Sequence, residues 1–365
     1  MKLIDVLAAA RFAGASDIHF KRGIPPIFRI DGALAPCPEA GRLSDAEMTA
    51  FIREVVPESK RKRFEEELEL NTSFVRPRLG RFRVTLFRQR GEVGMIMRLI
   101  PNRIETLRDL NLPEVTEQIA MERRGLILIT GATGSGKSTT LAAFLDHINT
   151  HRTCHIVTIE DPVEFTIREK RSLITQREVG VDTHAFPVAL RQALRQDTDV
   201  IMVGEIRERE TMELVLQGAE TGHLVLSTLH TTDAQETIHR VVSFFPATQQ
   251  EQIRIQLASV LKAIVAQRLI SRSDGKGRLP AVEILIANEQ IRELIRNPMR
   301  TSEIPQAIFN GHVSYGMQTF DQSIMHLLER KLIDEGEAMR YVRSTQDFSM
   351  RLKGIETADD GNWSI

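Results

Sequence analysis

Cysteine is nearly absent from this chain. Its 365 residues include two, Cys37 and Cys154, far apart and without a Cys-x-x-Cys pair. A tetracysteine zinc site is therefore excluded, and a disulfide framework is not expected. Aromatic residues make up only 5%, with one Trp and two Tyr, which leaves no stacking platform for single-stranded nucleic acid in view. A surplus of either charge is also lacking. With 48 basic and 49 acidic residues the net charge is −1, so nothing draws the whole molecule toward nucleic acid or acidic lipid. No apolar run approaches the roughly 18 residues that would mark a membrane-crossing helix. The first ten residues are apolar but include Asp5, and polar residues soon follow. They read as an amphipathic helix rather than a secretory signal. The expectation is a cytoplasmic protein with no direct membrane insertion and no nucleic-acid partner, reaching any membrane through another protein.

What is present is Gly131-Ala-Thr-Gly-Ser-Gly136-Lys137-Ser138-Thr139, which has the form G-x-x-x-x-G-K-[ST]. The apolar run Gly125–Thr130 precedes it, and the helical-looking Thr140–Asn149 follows. Strand, glycine-rich loop and helix in that order make a P-loop. Gly131, Gly134 and Gly136 free the backbone, so that successive N–H groups, including those of Thr133, Ser135 and Thr139, can turn toward phosphate oxygens. The helix N-terminus adds a positive dipole end. Lys137 is expected to reach the β- and γ-phosphates of ATP, and Ser138 to offer its hydroxyl to Mg²⁺.

The length suggests two or three domains. Residues 1–100 read as a small α+β domain. It has helices near 3–14, 44–56 and 58–68, a strand in Ser16–Phe20, a turn–strand–turn over Gly23–Gly32, and strands near 71–75, 80–89 and 93–100. Ser44-Asp-Ala-Glu47 is a capping-box pattern, and Asp31-Gly32 is a hairpin-turn pair. Arg81 and Arg83 alternate with Phe82 and Val84, so the two arginines share one strand face. Residues 101–113 are irregular and read as an interdomain linker. From 114 onward strand and helix alternate, which predicts a mostly parallel sheet covered on both faces. The strand candidates are 126–130, 155–160, 200–204 and 224–229; the helix candidates are 137–149, 185–196, 208–220, 233–243 and 248–269. Small helices follow over 287–345, including 290–297 and 318–329, and an acidic tail from Gly354 closes the chain.

Three later stretches add chemistry to the loop. Thr158-Ile-Glu-Asp-Pro-Val-Glu-Phe165 places three carboxylates, Glu160, Asp161 and Glu164, just beyond a strand. Glu160 and Asp161 would serve equally as capping or turn residues. Asp199-Val-Ile-Met-Val-Gly-Glu205 is an apolar strand ending in an acid, a Walker B type of arrangement. Hydrolysis needs one carboxylate to hold the water around Mg²⁺ and another to orient or deprotonate the attacking water. Thr221–Thr231 carries His223 and His230 at the two ends of one apolar strand. His230, at the C-terminal end, is where open α/β sheets place groups that contact ligand, and there it could sense the γ-phosphate.

Together, the P-loop, Glu160-Asp-Pro-Val-Glu164, Gly204-Glu-Ile-Arg207 and the two-histidine strand resemble the secretion ATPases, and among them the type IV pilus retraction ATPases of the PilT/PilU family. Ala15–His19, Gly80–Val84, Thr175–Val179, Gln290–Arg296 and Met317–Asp321 extend the resemblance over nearly the whole chain. It implies a RecA-like P-loop motor domain (114–365) joined through the 101–113 linker to a smaller PAS-like N-terminal domain (1–100), assembled as a homo-hexamer with nucleotide between the two domains. It implies Glu164 as general base and Glu205 as the Walker B acid acting on Mg²⁺ through water, and it puts Arg81 and Arg83 where they would neutralise charge on the transferred phosphoryl group. Solvent-facing strand arginines are the plainer alternative for that pair. The implied partners are an inner-membrane pilus platform protein and a paralogous retraction ATPase, with the motor peripheral at the inner membrane. The implied work is ATP-driven pilus disassembly. Two alternatives compete with it. A pilus-extension or type II secretion ATPase usually carries a tetracysteine insert, which this chain lacks. A RecA-like nucleic-acid translocase would need the basic groove and aromatics that are missing.

Overall fold

The computed structural model describes residues 1–30, 32–37, 40–100 and 103–352. Asp31 of the expected hairpin turn, the first two linker residues and the acidic tail lie outside the described residues. The chain divides into two compact units: Met1–Arg103 with Pro162–Thr166, and Ile104–Asp161 with Ile167 onward.

The first unit contains α1 (Leu3–Phe12), β1 (Asp17–Phe20), β2 (Ile27–Ile30), β3 (Ala33–Pro36), α2 (Asp45–Val55), α3 (Glu58–Glu67), β4 (Glu69–Arg76), β5 (Gly80–Gln89) and β6 (Glu92–Ile100). Its six strands form an antiparallel sheet in the order β3-β2-β1-β6-β5-β4. The alternation in β5 decides what faces the core. Phe82, Val84 and Leu86 are buried against Leu3, Leu7, Phe51 and Met97, which leaves Arg81 and Arg83 on the opposite face. Ser44 and Glu47 form the expected reciprocal cap at the start of α2.

The second unit contains α4 (Val115–Ala120), β7 (Gly125–Thr130), α5 (Lys137–His151), β8 (His155–Glu160), β9 (Leu173–Glu178), α6 (Phe186–Ala193), β10 (Val200–Val203), α7 (Arg209–Glu220), β11 (Leu224–Leu229), α8 (Ala234–Ser243), α9 (Ala247–Val260), β12 (Leu261–Ser271) and β13 (Arg278–Ile286). Seven strands lie in the order β13-β12-β7-β11-β10-β8-β9, all parallel except β13. Helices cover both faces, so the central strands are apolar on both. In β7, Leu126 and Leu128 pack into one cluster with Val215 and Leu257, while Ile127 and Ile129 pack into another with Phe144 and Leu145. Each such side chain, fully buried, is worth about 1.5–3 kcal/mol over leaving it exposed. Ile104–Pro113, expected as linker, groups with this unit, and Leu107 and Leu112 are buried in its core. Short helices complete the unit: α10 (Glu289–Arg296), a 3₁₀ turn, α11 (Ile304–Asn310), α12 (His312–Tyr315), α13 (Phe320–Glu329), α14 (Glu335–Tyr341) and α15 (Thr345–Leu352).

One expected element is wrong. The helix anticipated over 248–269 stops at Val260, and β12 takes over at Leu261, whose backbone is extended (φ −61°, ψ 132°). The run Leu257–Ala266 is apolar almost throughout, and a strand buried on both faces has the same signature as a buried helix. Strands β9 and β13 lie outside the strands expected from the sequence. Both are sheet edges. There the polar Leu173–Glu178 and the Pro280 of β13 are tolerated where a central strand would reject them.

Candidate active site

Strand order gathers the chemistry. In a parallel sheet all C-terminal strand ends lie along one edge. Neighbouring β7, β11, β10 and β8 end respectively at Thr130 before the glycine loop, at Leu229 before His230, at Val203 before Gly204-Glu205, and at Glu160. Sequence-distant residues thus meet through three registers: Thr130 beside Leu229, Ser227 beside Val203, and Val203 beside Ile159.

The glycine loop is a formed cradle. Gly131 has φ +144° and Gly136 φ +91°, conformations that L side chains rarely adopt. A Cβ at Gly131 would stand 2.4 Å from the Gln267 carbonyl oxygen and 2.5 Å from Ser135 Oγ. Lys137 is buried, and its ammonium donates to the carbonyls of Gly131 (2.8 Å) and Ala132 (2.9 Å). Its charge is therefore folded back into the loop. Ser135 Oγ is buried and has no hydrogen-bond partner among the described residues. A buried hydroxyl without a partner is costly unless a ligand satisfies it, and a phosphate oxygen would do so. Ser138 is exposed at the first turn of α5, beside Thr139. Glycines at positive φ, an unsatisfied hydroxyl and a buried ammonium fit a nucleotide phosphate. Thr133 and Gly134 lie on the exposed rim of the same loop.

Glu205 lies two residues beyond β10, with its side chain 18% exposed. It pairs with Arg207 at 2.6 Å and stands 3.6 Å from His230 Nε2. Ser227 Oγ donates to the Val203 carbonyl and Thr228 Oγ1 to that of Gly204, each at 2.7 Å, so β11 fixes the backbone that presents Glu205. Gly204 lets that backbone lie close to β8, since a Cβ there would be 3.3 Å from the Ile159 carbonyl oxygen. Glu160 is buried and accepts from Thr158 Oγ1 (2.7 Å) and Gln176 Nε2 (3.1 Å), both within the sheet. These bonds tie it into β8 and β9, neither as a helix cap nor as a turn residue. His223 sits at the other edge of the sheet and bonds the Gly218 carbonyl at 3.1 Å, so of the two histidines only His230 is near the loop.

Three of the expected site residues form a separate group, in the first unit. Pro162–Thr166 leaves the second unit after Asp161 and contributes Glu164 to the first. There Arg83 Nη1 pairs with Glu164 Oε1 at 3.1 Å, and Arg81 Nη2 donates to Ser73 Oγ at 2.9 Å. Among the described residues no group of three or more His, Cys, Asp or Glu could hold a metal ion. A Mg²⁺ brought with nucleotide phosphates, keeping most of its waters, needs no such cage, and Ser138 and Glu205 are of the right chemistry to hold it.

Residues 2–364 match the family of type II/IV secretion system proteins. This chain belongs to that family. Among relatives of this secretion-system protein, the type IV pilus retraction ATPase PilT of Pseudomonas aeruginosa is 43% identical over 348 residues, covering 95% of this chain and all of PilT. The type IV pilus ATPase PilU of the same organism is 40% identical, covering 95% of this chain and 90% of PilU. A crystal structure of the pilus retraction motor PilT with bound ADP superimposes with a TM-score of 0.87 at 42% identity, over 95% of this chain and 98% of that one. The Legionella pneumophila ATPase DotB gives 0.80 at 26% identity, over 97% and 96%. The expected fold class, an α/β RecA-like P-loop motor domain with a smaller α+β N-terminal domain, is the one this secretion-system family member has.

Two further residues adjoin the site, and sequence reasoning missed one of them. Arg207, the last residue of the Gly204–Arg207 motif, is the ion partner of Glu205. The one missed is Gln267, which abuts the glycine loop. Gln267 is a lone amide directly after the apolar run Ala263–Ala266, and the expectation of a helix there hides which way it faces.

Proposed function

We propose that this protein is an ATP hydrolase that powers retraction of a type IV pilus, working as a homo-hexamer on an inner-membrane platform protein and peripheral to that membrane. The observation that carries the reading is the convergence of glycine loop, Glu205 and His230 at one edge of a parallel sheet. It occurs in a chain that aligns end to end with retraction motors. Among the described residues no helix is long and apolar enough to cross a membrane, so contact with the pilus machine would run through a partner.

In this reading the loop amides of residues 131–139 and Lys137 bind the β- and γ-phosphates. Lys137 exchanges its bonds to the Gly131 and Ala132 carbonyls for phosphate oxygens, and Ser135 Oγ gains a partner. Mg²⁺, held by Ser138 directly and by Glu205 through water, would neutralise phosphate charge. Glu164 acts as general base toward the attacking water. Arg81 and Arg83 offset charge developing on the transferred group. His230, close enough to Glu205 to feel its state, reports loss of the γ-phosphate. A paralogous retraction ATPase is a further proposed partner.

A deletion strain complemented with wild type or Lys137→Ala tests this. The expected result is restored retraction with wild type, and surface pili that accumulate without retracting with the variant, whose purified form does not hydrolyse ATP. Loss of surface pili on deletion would reverse the direction of force.

A further inference from the structure

Gln267 lies near the middle of β12 and is 3% exposed. Three of its contacts converge on the phosphate loop from outside. Its side-chain oxygen accepts a 2.8 Å bond from Thr140 Oγ1, which is itself buried in the first turn of α5. Its backbone oxygen occupies the space a Cβ at Gly131 would need, at 2.4 Å. Its Nε2 does the same at Gly136, at 2.7 Å. One residue on the strand beside β7 therefore touches both ends of the loop and the helix that follows. The register Ala266 beside Thr130 brings it there, one residue beyond the last β7 residue.

We propose that Gln267 is the positioning residue of the phosphate cradle, setting its width through Thr140 and keeping the back of the loop neutral. This rests on residues 131–139 binding nucleotide phosphates. The side chain must meet two demands. Thr140 needs an acceptor, because its buried hydroxyl has no solvent to turn to. The end facing Gly136 must carry no negative charge, because it lies behind N–H groups that would hold phosphate, in surroundings that screen charge poorly. Glutamine meets both. Glutamate keeps the acceptor but adds charge, and methionine keeps the bulk but loses the acceptor.

The test is equilibrium binding of fluorescent ATP and ADP analogues to full-length Gln267→Glu, Gln267→Met, Thr140→Val, the Gln267→Met/Thr140→Val double variant and Lys137→Ala, with unliganded melting temperature as the fold control. Gln267→Glu should weaken ATP binding by about tenfold or more, and ADP less, because the extra phosphate adds to the repulsion. Gln267→Met should weaken both by roughly three- to tenfold, Thr140→Val should match it, and the double variant should be no worse than either. Should Gln267→Glu not fold, the Met–Val cycle decides alone. Wild-type affinity in Gln267→Met and Thr140→Val, or losses that multiply in the double variant, overturn the proposal while leaving the cradle assignment intact, provided Lys137→Ala loses binding. Unchanged binding in Lys137→Ala refutes the cradle itself and the role of Gln267 with it.

Discussion

At the scale of single residues, Glu205 is the acid proposed to act on Mg²⁺ through water. Its carboxylate is only partly exposed, yet it faces a guanidinium on one side and an imidazole on the other. A metal-linked or water-orienting acid would have to give up part of that pairing when nucleotide arrives. Glu205→Gln keeps the shape and removes the charge. It is expected to lower kcat on the order of 10²-fold or more while nucleotide still binds, measured as phosphate release beside equilibrium binding. A variant hydrolysing at the wild-type rate would remove Glu205 from the chemistry. Gly131 makes a different argument, from space. At φ +144° an alanine is strained, and its Cβ would meet a backbone oxygen that cannot rotate away. Gly131→Ala should therefore abolish nucleotide binding while the sheet still folds, read by binding together with circular dichroism. These residues were legible in the sequence because a phosphate cradle needs special backbone angles and a fixed lysine spacing, which leave a pattern. Gln267 left only a lone amide at the end of an apolar run, since its role depends on which strand lies beside which.

Elements explain what was readable and what was not. The central strands β7, β8, β10 and β11 were placed within a residue or so because each is a short apolar run set off from its neighbours, whereas β12 continues directly from the apolar end of α9. Capping made α2 legible through Ser44 and Glu47. The edge strands are opaque for different reasons: β9 is polar and partly exposed, whereas β13, buried from Leu279 to Leu285, is interrupted by Pro280 and Glu283. One edge residue illustrates the cost. Glu283 of β13 is buried, and its carboxylate accepts a 2.8 Å bond from the Ala234 backbone N–H at the start of α8. Burial pushes its pKa from the usual 4.5 to about 7. The Ala234 bond and the Arg268 and Arg343 charges pull it down, and Asp233 adds to the rise. The folded protein thus holds this proton more tightly than the unfolded chain. The stability it confers is complete below about pH 4.5 and lost as pH rises through about 7, to an upper limit of about 3 kcal/mol. Glu283→Gln keeps the acceptor for Ala234 and removes the titration. Melting curves from pH 5 to 8 should show the wild type losing stability relative to the variant as pH rises, and parallel curves would contradict the assignment.

For the whole molecule the telling fact is that the chain leaves the second unit for five residues, Pro162–Thr166, and gives Glu164 to the first. The acid nominated as general base is thereby tied to Arg83, on the strand nominated to neutralise phosphate charge. Both side chains are more than a third exposed, so the pair adds at most about 1 kcal/mol to stability. Its removal should not unfold the protein, and a loss of hydrolysis can then be read as chemistry. If the pair is only a brace, exchanging the charges in Arg83→Glu/Glu164→Arg should restore whatever each single variant loses. If Glu164 takes a proton from water while Arg83 offsets phosphate charge, the exchange puts a cation where the base must be and an anion where the phosphoryl group gains charge. The expected outcome is the second. Arg83→Ala should lower kcat about tenfold or more, Glu164→Gln by 10²-fold or more, and the exchanged protein should be no better than the worse single variant, with melting temperatures within a few degrees throughout. Rescue by the exchange, measured as ATP turnover and as pilus retraction in complemented cells, would reduce the pair to a brace and move the general base elsewhere.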